Sequence, residues 1–196
     1  MKVLFSGGGT MGSVSPLVAI YEELKSRDPN LEVLWLGTKS GPEKEFLAKY
    51  NIPFKFINSA KLRRYWSGWN LLAPFSFVAG IIRAFYLISK FKPDVVLTAG
   101  SYVAVPVMLV SWIMKIKRFV HQQDLEIGLA NKLMASIATF ITVTFKESTT
   151  AFNPNKTKVI GNPVRQEVLA GNKEKALMFF QLKSDLPTIL ITGGGT

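Results

Sequence analysis

The sequence predicts an α/β fold, with a parallel sheet flanked by helices on both faces. Short apolar runs rich in β-branched residues alternate along the chain with segments of helical periodicity. These runs are apolar almost throughout rather than at every second residue, which is typical of strands covered on both faces. With 196 residues, of which 48% are hydrophobic, the chain has the material for a packed core and suits one domain with a short extra piece.

The order of the predicted elements places candidate ligand sites at one end of the sheet, because ligands of parallel sheets bind at the carboxyl ends of the strands. The first helix has Ser15 as its expected N-cap and Pro16 at its first position. The predicted strands are 2–6, 32–36, 54–57, 94–98, 118–122, 140–144 and 158–160, and the predicted helices are 16–27, 42–50, 70–90, 103–114, 128–136 and 172–182.

Composition excludes several classes of site. The chain has no Cys and one His. A disulfide scaffold, a thiol nucleophile, a cysteine-rich zinc site and a multi-histidine metal site are therefore excluded. We expect neither a bound metal nor a cofactor.

Positive charge and apolar sequence concentrate in the same part of the chain. The net charge is +11, and residues 61–118 contribute nine basic side chains against one acidic side chain. Residues 71–88 carry a single charge, Arg83, and residues 95–114 carry none. We interpret 95–114 as a buried strand, a turn and a short helix, and 71–88 as a helix whose outer face needs a partner. An anionic membrane surface fits this combination better than nucleic acid, because the basic residues flank apolar stretches.

A glycine-rich loop follows the first strand. Residues 7–12 read GGGTMG and satisfy the pattern G-x-G-x-x-G. Glycines allow the backbone to approach a ligand, and the helix behind them presents N–H groups to negative charge. A dinucleotide-binding enzyme would also need an acidic residue at the end of its second strand, where this chain has Gly37 and Thr38. The loop therefore indicates an anion site rather than an NAD site, and a tight turn without a ligand is the alternative.

Two polar segments follow later strands. The segment HQQD at 121–124 lies at the carboxyl end of a strand, where Asp124 and Glu126 are the nearest carboxylates that could act as a base. A lone histidine is more often a hydrogen-bonded structural residue than a catalyst. The segment GNPVR at 161–165 follows the last predicted strand of the domain, and its Arg165 is either a ligand for phosphate or carboxylate or a plain surface residue.

The end of the chain repeats the pattern of its beginning. Residues 2–10 read KVLFSGGGT and residues 188–196 read TILITGGGT. We predict that residues 1–186 form one domain, and that residues 187–196 form the first strand and glycine loop of a second, donor-binding α/β domain. The alternative is that the last strand completes the sheet of a single domain.

Together these segments resemble the MurG family of membrane-associated N-acetylglucosaminyltransferases. The resemblance covers the whole chain and rests on GGTMGSVSPLVAI at 8–20, WLGT at 35–38, KPDVVLTAGSYVAVP at 92–106, HQQDLEIGLANKLMA at 121–135 and VIGNPVR at 159–165. It implies the Rossmann-like N-terminal half of a two-domain GT-B glycosyltransferase. The implied reaction is the inverting, metal-independent transfer of GlcNAc from UDP-GlcNAc to a lipid-linked pyrophosphoryl sugar in peptidoglycan synthesis. It would take place at the cytoplasmic face of the cell membrane, with this chain as the peripheral, acceptor-binding half.

The resemblance also implies site residues. Contacts to the UDP-sugar donor would fall on Thr10, Met11, Gly12, Asp124, Arg165 and Gly195. The chain departs from the family by having Met11 for a glycine, Ser13 for the loop histidine, Gln122 for a glutamate, Asp124 for an asparagine and Gly195 for a serine. Ser13 and Asp124 are the candidate catalytic residues. A serine needs help to act as a base near neutral pH, so either Asp124 has taken over, or activity is low, or the acceptor differs.

A lipid-linked acceptor has to be reached at the bilayer surface, which requires an apolar patch with a basic rim. We expect Leu72, Phe75, Ala79, Ile82, Trp112 and Ile113 in the patch, and Lys61, Arg63, Arg64, Lys115, Lys117 and Arg118 in the rim. The alternative is that this helix is buried against a further domain or in a dimer. Two other functions stay open: a non-catalytic membrane-docking subunit that recruits a separate donor-binding chain, and a dinucleotide-binding enzyme.

Overall fold

Within residues 1–59, 69–183, 186–189 and 191, which the computed structural model describes (the backbone alone for 69–73), the chain forms a seven-stranded parallel sheet. Its strands are β1 (Lys2–Ser6), β2 (Glu32–Gly37), β3 (Phe54–Phe56), β4 (Val95–Thr98), β5 (Lys117–Gln122), β6 (Phe140–Val143) and β7 (Thr157–Val159). They lie in the order β3-β2-β1-β4-β5-β6-β7. The predicted strands and the parallel, Rossmann-like sheet are confirmed.

Helices flank both faces of this sheet. They are α1 (Ser15–Arg27), α2 (Glu43–Ala48), α3 (Trp69–Phe91), α4 (Ala104–Ile113), α5 (Leu129–Ile137), α6 (Gln166–Leu169) and α7 (Lys173–Phe179), with short 3₁₀ turns at Lys146–Ala151 and Pro154–Lys156. The predicted helices are confirmed, with boundaries shifted by a few residues. The sequence analysis missed α6, because a single turn is too short to show helical periodicity.

The expected N-cap of α1 is wrong by one residue. Ser15 already lies inside the helix, and the N-cap is Val14, which provides no capping side chain. The N–H groups of Val14 and Ser15 both donate to the Met11 carbonyl, at 3.1 and 2.9 Å. The last turn of the glycine loop therefore continues directly into the helix.

β1 contributes side chains to two separate cores. Leu4 packs with α3, α4 and α5 on one face of the sheet, whereas Val3 and Phe5 pack with α1 and α2 on the other. All three side chains are completely buried. Burial of a side chain of this size stabilises the fold by about 1.5–3 kcal/mol, so a polar residue on either face of β1 would be costly. This two-sided burial is the reason that the strands are continuously apolar in the sequence.

The strand order reverses between β1 and β4. The chain moves from β1 to β2 and β3 in one direction and from β4 to β7 in the other. The helices that follow the two central strands, α1 and α4, lie on opposite faces. The loops after β1 and β4 therefore diverge at the carboxyl edge of the sheet, which is where open α/β sheets bind their ligands.

Gly80 and Arg83, which interrupt the apolar sequence of α3, lie on its inner face. A Cβ atom at Gly80 would overlap the carbonyl oxygen of Asn58, so the helix approaches the backbone after β3 as closely as it can. The Arg83 side chain donates from Nε to the Phe56 carbonyl at 2.7 Å, and its guanidinium carbon lies 3.9 Å from the centre of the Phe56 ring. These contacts attach α3 to the sheet.

From Phe75 to Tyr86, the side chains of α3 that are more than half exposed are all apolar or aromatic. Phe75 is 75% exposed, and Val78, Ile82, Phe85 and Tyr86 are each more than half exposed. Residues Pro74–Phe91 have a mean hydropathy of 1.3 and are long and apolar enough to cross a bilayer, by length and composition only. Trp112 and Ile113, at the end of the adjacent α4, are exposed as well.

Several residues that we expected at this surface are placed differently. Arg118 is turned inward, because its guanidinium donates to the carbonyls of Ile137, Ser111 and Ile116. Burial lowers the pKa of Arg118, whereas Lys115 and Lys117 are exposed. Ala79 is half-buried. The side chain of Leu72 and the residues Lys61, Arg63 and Arg64 lie outside the described residues.

The described part of the last segment does not join the sheet. Residues 187–189 and 191 carry no strand, and the side chains of Ile189 and Ile191 are 85% and 90% exposed. The other residues of the expected strand and glycine loop, 190 and 192–196, lie outside the described residues. The assignment of 187–196 to a second domain stays a prediction.

The contact between Gly80 and Asn58 predicts that Gly80→Ala destabilises the protein. Alanine forms helix better than glycine by about 1 kcal/mol, so an open site would gain stability. Because the methyl group meets backbone, we expect instead a loss of about 1–3 kcal/mol in the free energy of unfolding, measured in urea. Gly171→Ala is the matched control, since its Cβ has its nearest neighbour at an ordinary 3.7 Å. A Gly80→Ala variant as stable as the wild type would contradict the packing described here.

Candidate functional site

A cleft of about 320 Å³ lies at the carboxyl edge of the sheet, at the point where the strand order reverses. It is lined by residues from three loops, at 8–13 after β1, 99–102 after β4 and 122–131 after β5. The sequence analysis had singled out two of these loops. The cleft brings together Thr10, Gly12, Ser13 and Asp124 of the predicted site residues.

The N–H groups of the glycine loop divide into two sets. The first three are bonded within the protein: Gly7 donates to the Leu36 carbonyl at 3.3 Å, Gly8 to Ser13 Oγ at 3.2 Å and Gly9 to Glu43 Oε2 at 3.1 Å. The next three, of Thr10, Met11 and Gly12, have no acceptor among the described residues. Together with the N-terminus of α1, they are suited to an anion.

Ser13 is 8% exposed, and its hydroxyl closes the glycine loop on itself. Its Oγ accepts the Gly8 N–H and lies 3.5 and 3.4 Å from the carbonyl oxygens of Gly8 and Thr10. The hydroxyl is therefore used in maintaining the loop and is directed at backbone rather than at a titratable side chain. The catalytic role expected for Ser13 stays a prediction.

The loop after β4 is connected to the glycine loop across the cleft. Ser101 Oγ donates to the Gly8 carbonyl at 2.7 Å. Its own φ of +98° is in a region that non-glycine residues rarely occupy, which indicates local strain at the site. The next residue, Tyr102, packs its ring against Gly9, where a Cβ would lie 3.1 Å from a ring carbon. Burial, and then the charge of Glu43, raise the pKa of Tyr102.

His121 does not line the cleft. It is 3% exposed, and its Nδ1 lies 3.0 Å from Thr142 Oγ1. Its Nε2 has no hydrogen-bond partner within the described residues. Burial lowers the pKa of His121, and the side chain of Asn162 and the backbone at Thr142 oppose that effect without cancelling it. The geometry is that of a structural, neutral histidine.

Gln122 orders the loop that carries Asp124. Its Nε2 donates to the carbonyls of Asp124 and Glu126, at 2.8 and 3.0 Å, and its Oε1 accepts from Asn131 Nδ2 at 2.6 Å. A glutamate could not make the two donated bonds, so the amide at this position has a definite structural purpose. Asn131 is 6% exposed, and its Oδ1, which faces Gly100, has no donor among the described residues.

Asp124 is exposed in the wall of the cleft, and it forms no ion pair with any side chain in the described part of the chain. It can therefore accept a proton or a hydrogen bond from a bound molecule. Its predicted roles as a base and as a donor-binding residue stay predictions. Within the described residues, no group of three His, Asp or Glu side chains is arranged to hold a metal ion.

Arg165 lies outside the cleft lining. Its guanidinium pairs with Glu167 and lies 5.0 Å from the centre of the Phe46 ring, and the neighbouring Gln166 N–H donates to Glu22 at 3.0 Å. To bind a phosphate in the cleft, Arg165 would have to leave these contacts. Its predicted role therefore stays a prediction, and Gly195 lies outside the described residues.

Glu43 and Asn131 were not among the site residues predicted from the sequence. Asn131 follows the HQQD segment by seven positions on a helix, where its polarity among apolar neighbours was the available signal. Glu43 had no such signal, since one acidic residue at the start of a short helix is common.

Comparison with known proteins agrees with this architecture. The chain matches the family model of the glycosyltransferase family 28 N-terminal domain over residues 3–143. It is 40% identical over 193 residues to the UDP-N-acetylglucosamine--N-acetylmuramyl-(pentapeptide) pyrophosphoryl-undecaprenol N-acetylglucosamine transferase 3 of Bacillus thuringiensis (strain Al Hakam), covering 98% of this chain and 54% of that protein. It is 40% identical over 194 residues to the corresponding transferase of Legionella pneumophila (strain Lens), covering 98% and 53%. The chain thus spans about half the length of the curated relatives it matches.

Solved structures share the fold. MurG of Acinetobacter baumannii superposes with a TM-score of 0.69 at 24% identity, covering 84% of this chain and 46% of that one. UDP-GlcNAc 2-epimerase of Neisseria meningitidis, bound to UDP-GlcNAc, superposes with a TM-score of 0.62 at 17% identity, covering 83% and 46%. At these identities the likeness shows the fold alone.

The burial of His121 predicts a pH dependence of stability. Because the pKa of His121 is lowered in the folded chain, the unfolded chain takes up the proton first. Stability is therefore lost as the pH falls below about 6.5, by at most about 1.4 kcal/mol per pH unit. We expect urea unfolding of the wild type to lose more free energy between about pH 7.5 and pH 5.5 than that of His121→Gln.

The chain has one histidine, so His121→Gln removes the whole contribution of histidine to the pH dependence. The carboxylates titrate in both proteins, so their contribution cancels in the comparison. Parallel pH profiles for the two proteins would show that the ring is not held neutral by burial.

Proposed function

The chain belongs to glycosyltransferase family 28, as a member of its N-terminal domain family, and on that premise we propose that it is the acceptor-binding half of a GlcNAc transferase. The donor would be UDP-GlcNAc and the acceptor a lipid-linked pyrophosphoryl sugar of peptidoglycan synthesis. The names of the relatives from Bacillus thuringiensis and Legionella pneumophila support this proposal. The resemblance to the MurG family that the motifs indicated is confirmed at the level of the family.

The observation that carries the proposal is the set of N–H groups of Thr10, Met11 and Gly12, which have no acceptor among the described residues. Thr10 and Gly12 line the cleft where the strand order reverses. Both substrates carry phosphate groups. Backbone N–H groups and the N-terminus of α1 stabilise such negative charge, and they need no reorganisation during the reaction. This arrangement suits a displacement in which charge develops on a departing phosphate.

The reaction would be a direct displacement with inversion. The acceptor hydroxyl attacks the anomeric carbon of GlcNAc, the bond from that carbon to the phosphate oxygen breaks, and UDP leaves with the electron pair. The hydroxyl proton goes to Asp124, whose exposed carboxylate in the cleft wall is free to take it. Ser13 would act only through the loop conformation that its hydroxyl maintains.

The outer face of α3 supports a peripheral position at an anionic membrane. Phe75, Ile82 and Trp112 would enter the interface, and Val78, Phe85 and Tyr86 extend the surface beyond the residues expected from the sequence. Lys115 and Lys117 would contribute about 1 kcal/mol each near anionic headgroups. We place the protein at the cytoplasmic face of the cell membrane, where a lipid-linked acceptor can be bound without leaving the bilayer.

The proposed base predicts a loss of activity in Asp124→Asn. We expect the complete gene product that carries this chain to transfer radiolabelled GlcNAc from UDP-GlcNAc to a lipid-linked pyrophosphoryl acceptor. Asp124→Asn should lower kcat by about 10²–10⁴-fold. Glu126→Gln is the matched control, a neighbouring exposed carboxylate outside the cleft lining. Equal loss in both variants would refute the assignment of Asp124, and absence of transfer by the wild type would refute the enzymatic function in favour of a docking subunit.

The proposed docking surface predicts that Ile82→Asp releases the chain from vesicles. We expect the wild-type chain to co-sediment with vesicles that contain anionic lipid, and less of it at high salt. Ile82→Asp should reduce the bound fraction several-fold, because a charge is placed in the apolar interface. Val168→Asp, on α6, replaces an apolar residue of similar exposure and should bind as the wild type does. Binding that ignores salt and anionic lipid content would contradict the electrostatic part of the proposal.

A further inference from the structure

A carboxylate lies directly behind the glycine loop, outside the cleft. Glu43 is the first residue of α2 and is completely buried. Its Oε2 accepts the Gly9 N–H at 3.1 Å, and its Oε1 accepts the backbone N–H and the hydroxyl of Thr38 at 2.6 and 2.5 Å. Burial of a carboxylate is costly unless donors surround it, so this position is not an accident of packing.

Three glycines leave room for this carboxylate. A Cβ atom at Gly8 or at Gly41 would overlap the Glu43 carboxylate, and one at Gly37 would lie 3.0 Å from its Oε1. These glycines come from the loop after β1, the connection between β2 and α2, and the end of β2. Three separate segments thus converge on one side chain, and a larger residue in any of them would displace it.

Gly9 is enclosed between Glu43 and the cleft. On one side its N–H is bonded to the carboxylate, and on the other the ring of Tyr102 packs against it. Its φ of +83° is accessible to glycine at little cost, and the chain then turns so that Thr10 follows at the edge of the cleft. The position of Gly9 therefore fixes where the loop passes to the N–H groups that have no acceptor among the described residues.

We propose that Glu43 is a positioning residue for the anion site: by accepting the Gly9 N–H, it holds the glycine loop in the conformation that presents the amides of Thr10, Met11 and Gly12. Glu43 does not line the cleft and acts through Gly9. The expected effect of Glu43 on enzyme kinetics rests on the proposed function. The hydrogen bond from Gly9 to Glu43 can be measured whether or not that function is correct.

Glu43→Gln separates the effect of the bond from Gly9 from that of the two bonds from Thr38. An amide oxygen directed at Thr38 keeps both of those bonds, and the NH₂ group then faces the Gly9 N–H, donor against donor. Thr38→Val is the matched control, because it removes one bond to the same carboxylate and leaves the bond to Gly9. Glu43→Asp is a second variant that keeps the charge and withdraws the carboxylate by about 1.5 Å.

The first measurement is amide hydrogen exchange at Gly9, followed by NMR on the chain. We expect exchange to be about tenfold faster in Glu43→Gln, because one hydrogen bond is lost, and close to the wild type in Thr38→Val. Glu43→Asp should resemble Glu43→Gln. Unchanged exchange at Gly9 in both Glu43 variants would overturn the proposal.

The second measurement is kinetic, with UDP-GlcNAc and the lipid-linked acceptor varied in turn. We expect KM for a phosphate-bearing substrate to rise about tenfold in Glu43→Gln, with a much smaller change in kcat, and neither to change in Thr38→Val. A merely structural role would affect both variants alike and would overturn the proposal. If the wild type transfers no sugar, the proposed function is wrong. In that case the affinity for inorganic pyrophosphate tests the positioning role of Glu43. Equal affinity in Glu43→Gln and Thr38→Val would overturn that role.

Discussion

The chain diverges between the neighbouring strands β1 and β4, and the position of the cleft and of every residue that lines it follows from this divergence. The two strands are neighbours in the sheet, yet the helices that follow them lie on opposite faces. Their loops therefore open a crevice at the carboxyl edge. Backbone groups that line such a crevice lack the strand partners that satisfy the rest of the sheet, and they must find side chains, water or a ligand.

Three polar side chains bond the first half of the glycine loop to the rest of the protein. Glu43, Ser13 and Ser101 take the polar groups of Gly8 and Gly9, so the first half of the loop is fixed. The N–H groups of the second half have no acceptor among the described residues. The same division is found in the loop after β5, where Gln122 bonds to backbone carbonyls and the Asp124 carboxylate stays exposed. A site of this kind is preorganised, because its shape does not depend on the ligand.

The packing of α3 explains how one helix can serve both the core and an external surface. Gly80 and Arg83 are used on the inner face, where close backbone approach and a bond to the Phe56 carbonyl attach the helix. The Arg83 guanidinium is thus removed from the outer face, where the exposed side chains between Phe75 and Tyr86 are apolar or aromatic. The result is an apolar surface on the same chain that contains the cleft, which is what the proposed lipid-linked acceptor would require.

The sequence by itself determined the strands, the parallel sheet and the edge at which the cleft lies, since two-sided burial imposes a continuous apolar pattern and glycines mark the loop after β1. It also placed Asp124 and the glycine loop at the carboxyl ends of their strands, and the structure shows that both line one cleft. Only the tertiary structure decided the role of Glu43, the inward turn of Arg118 and the distance of Arg165 from the cleft. These depend on contacts between residues far apart in the chain, such as the bond from Gly9 to Glu43 and that from Arg118 to Ile137. Local patterns of polarity and periodicity carry no record of such contacts, because a buried and an exposed charged residue look the same until the chain has folded.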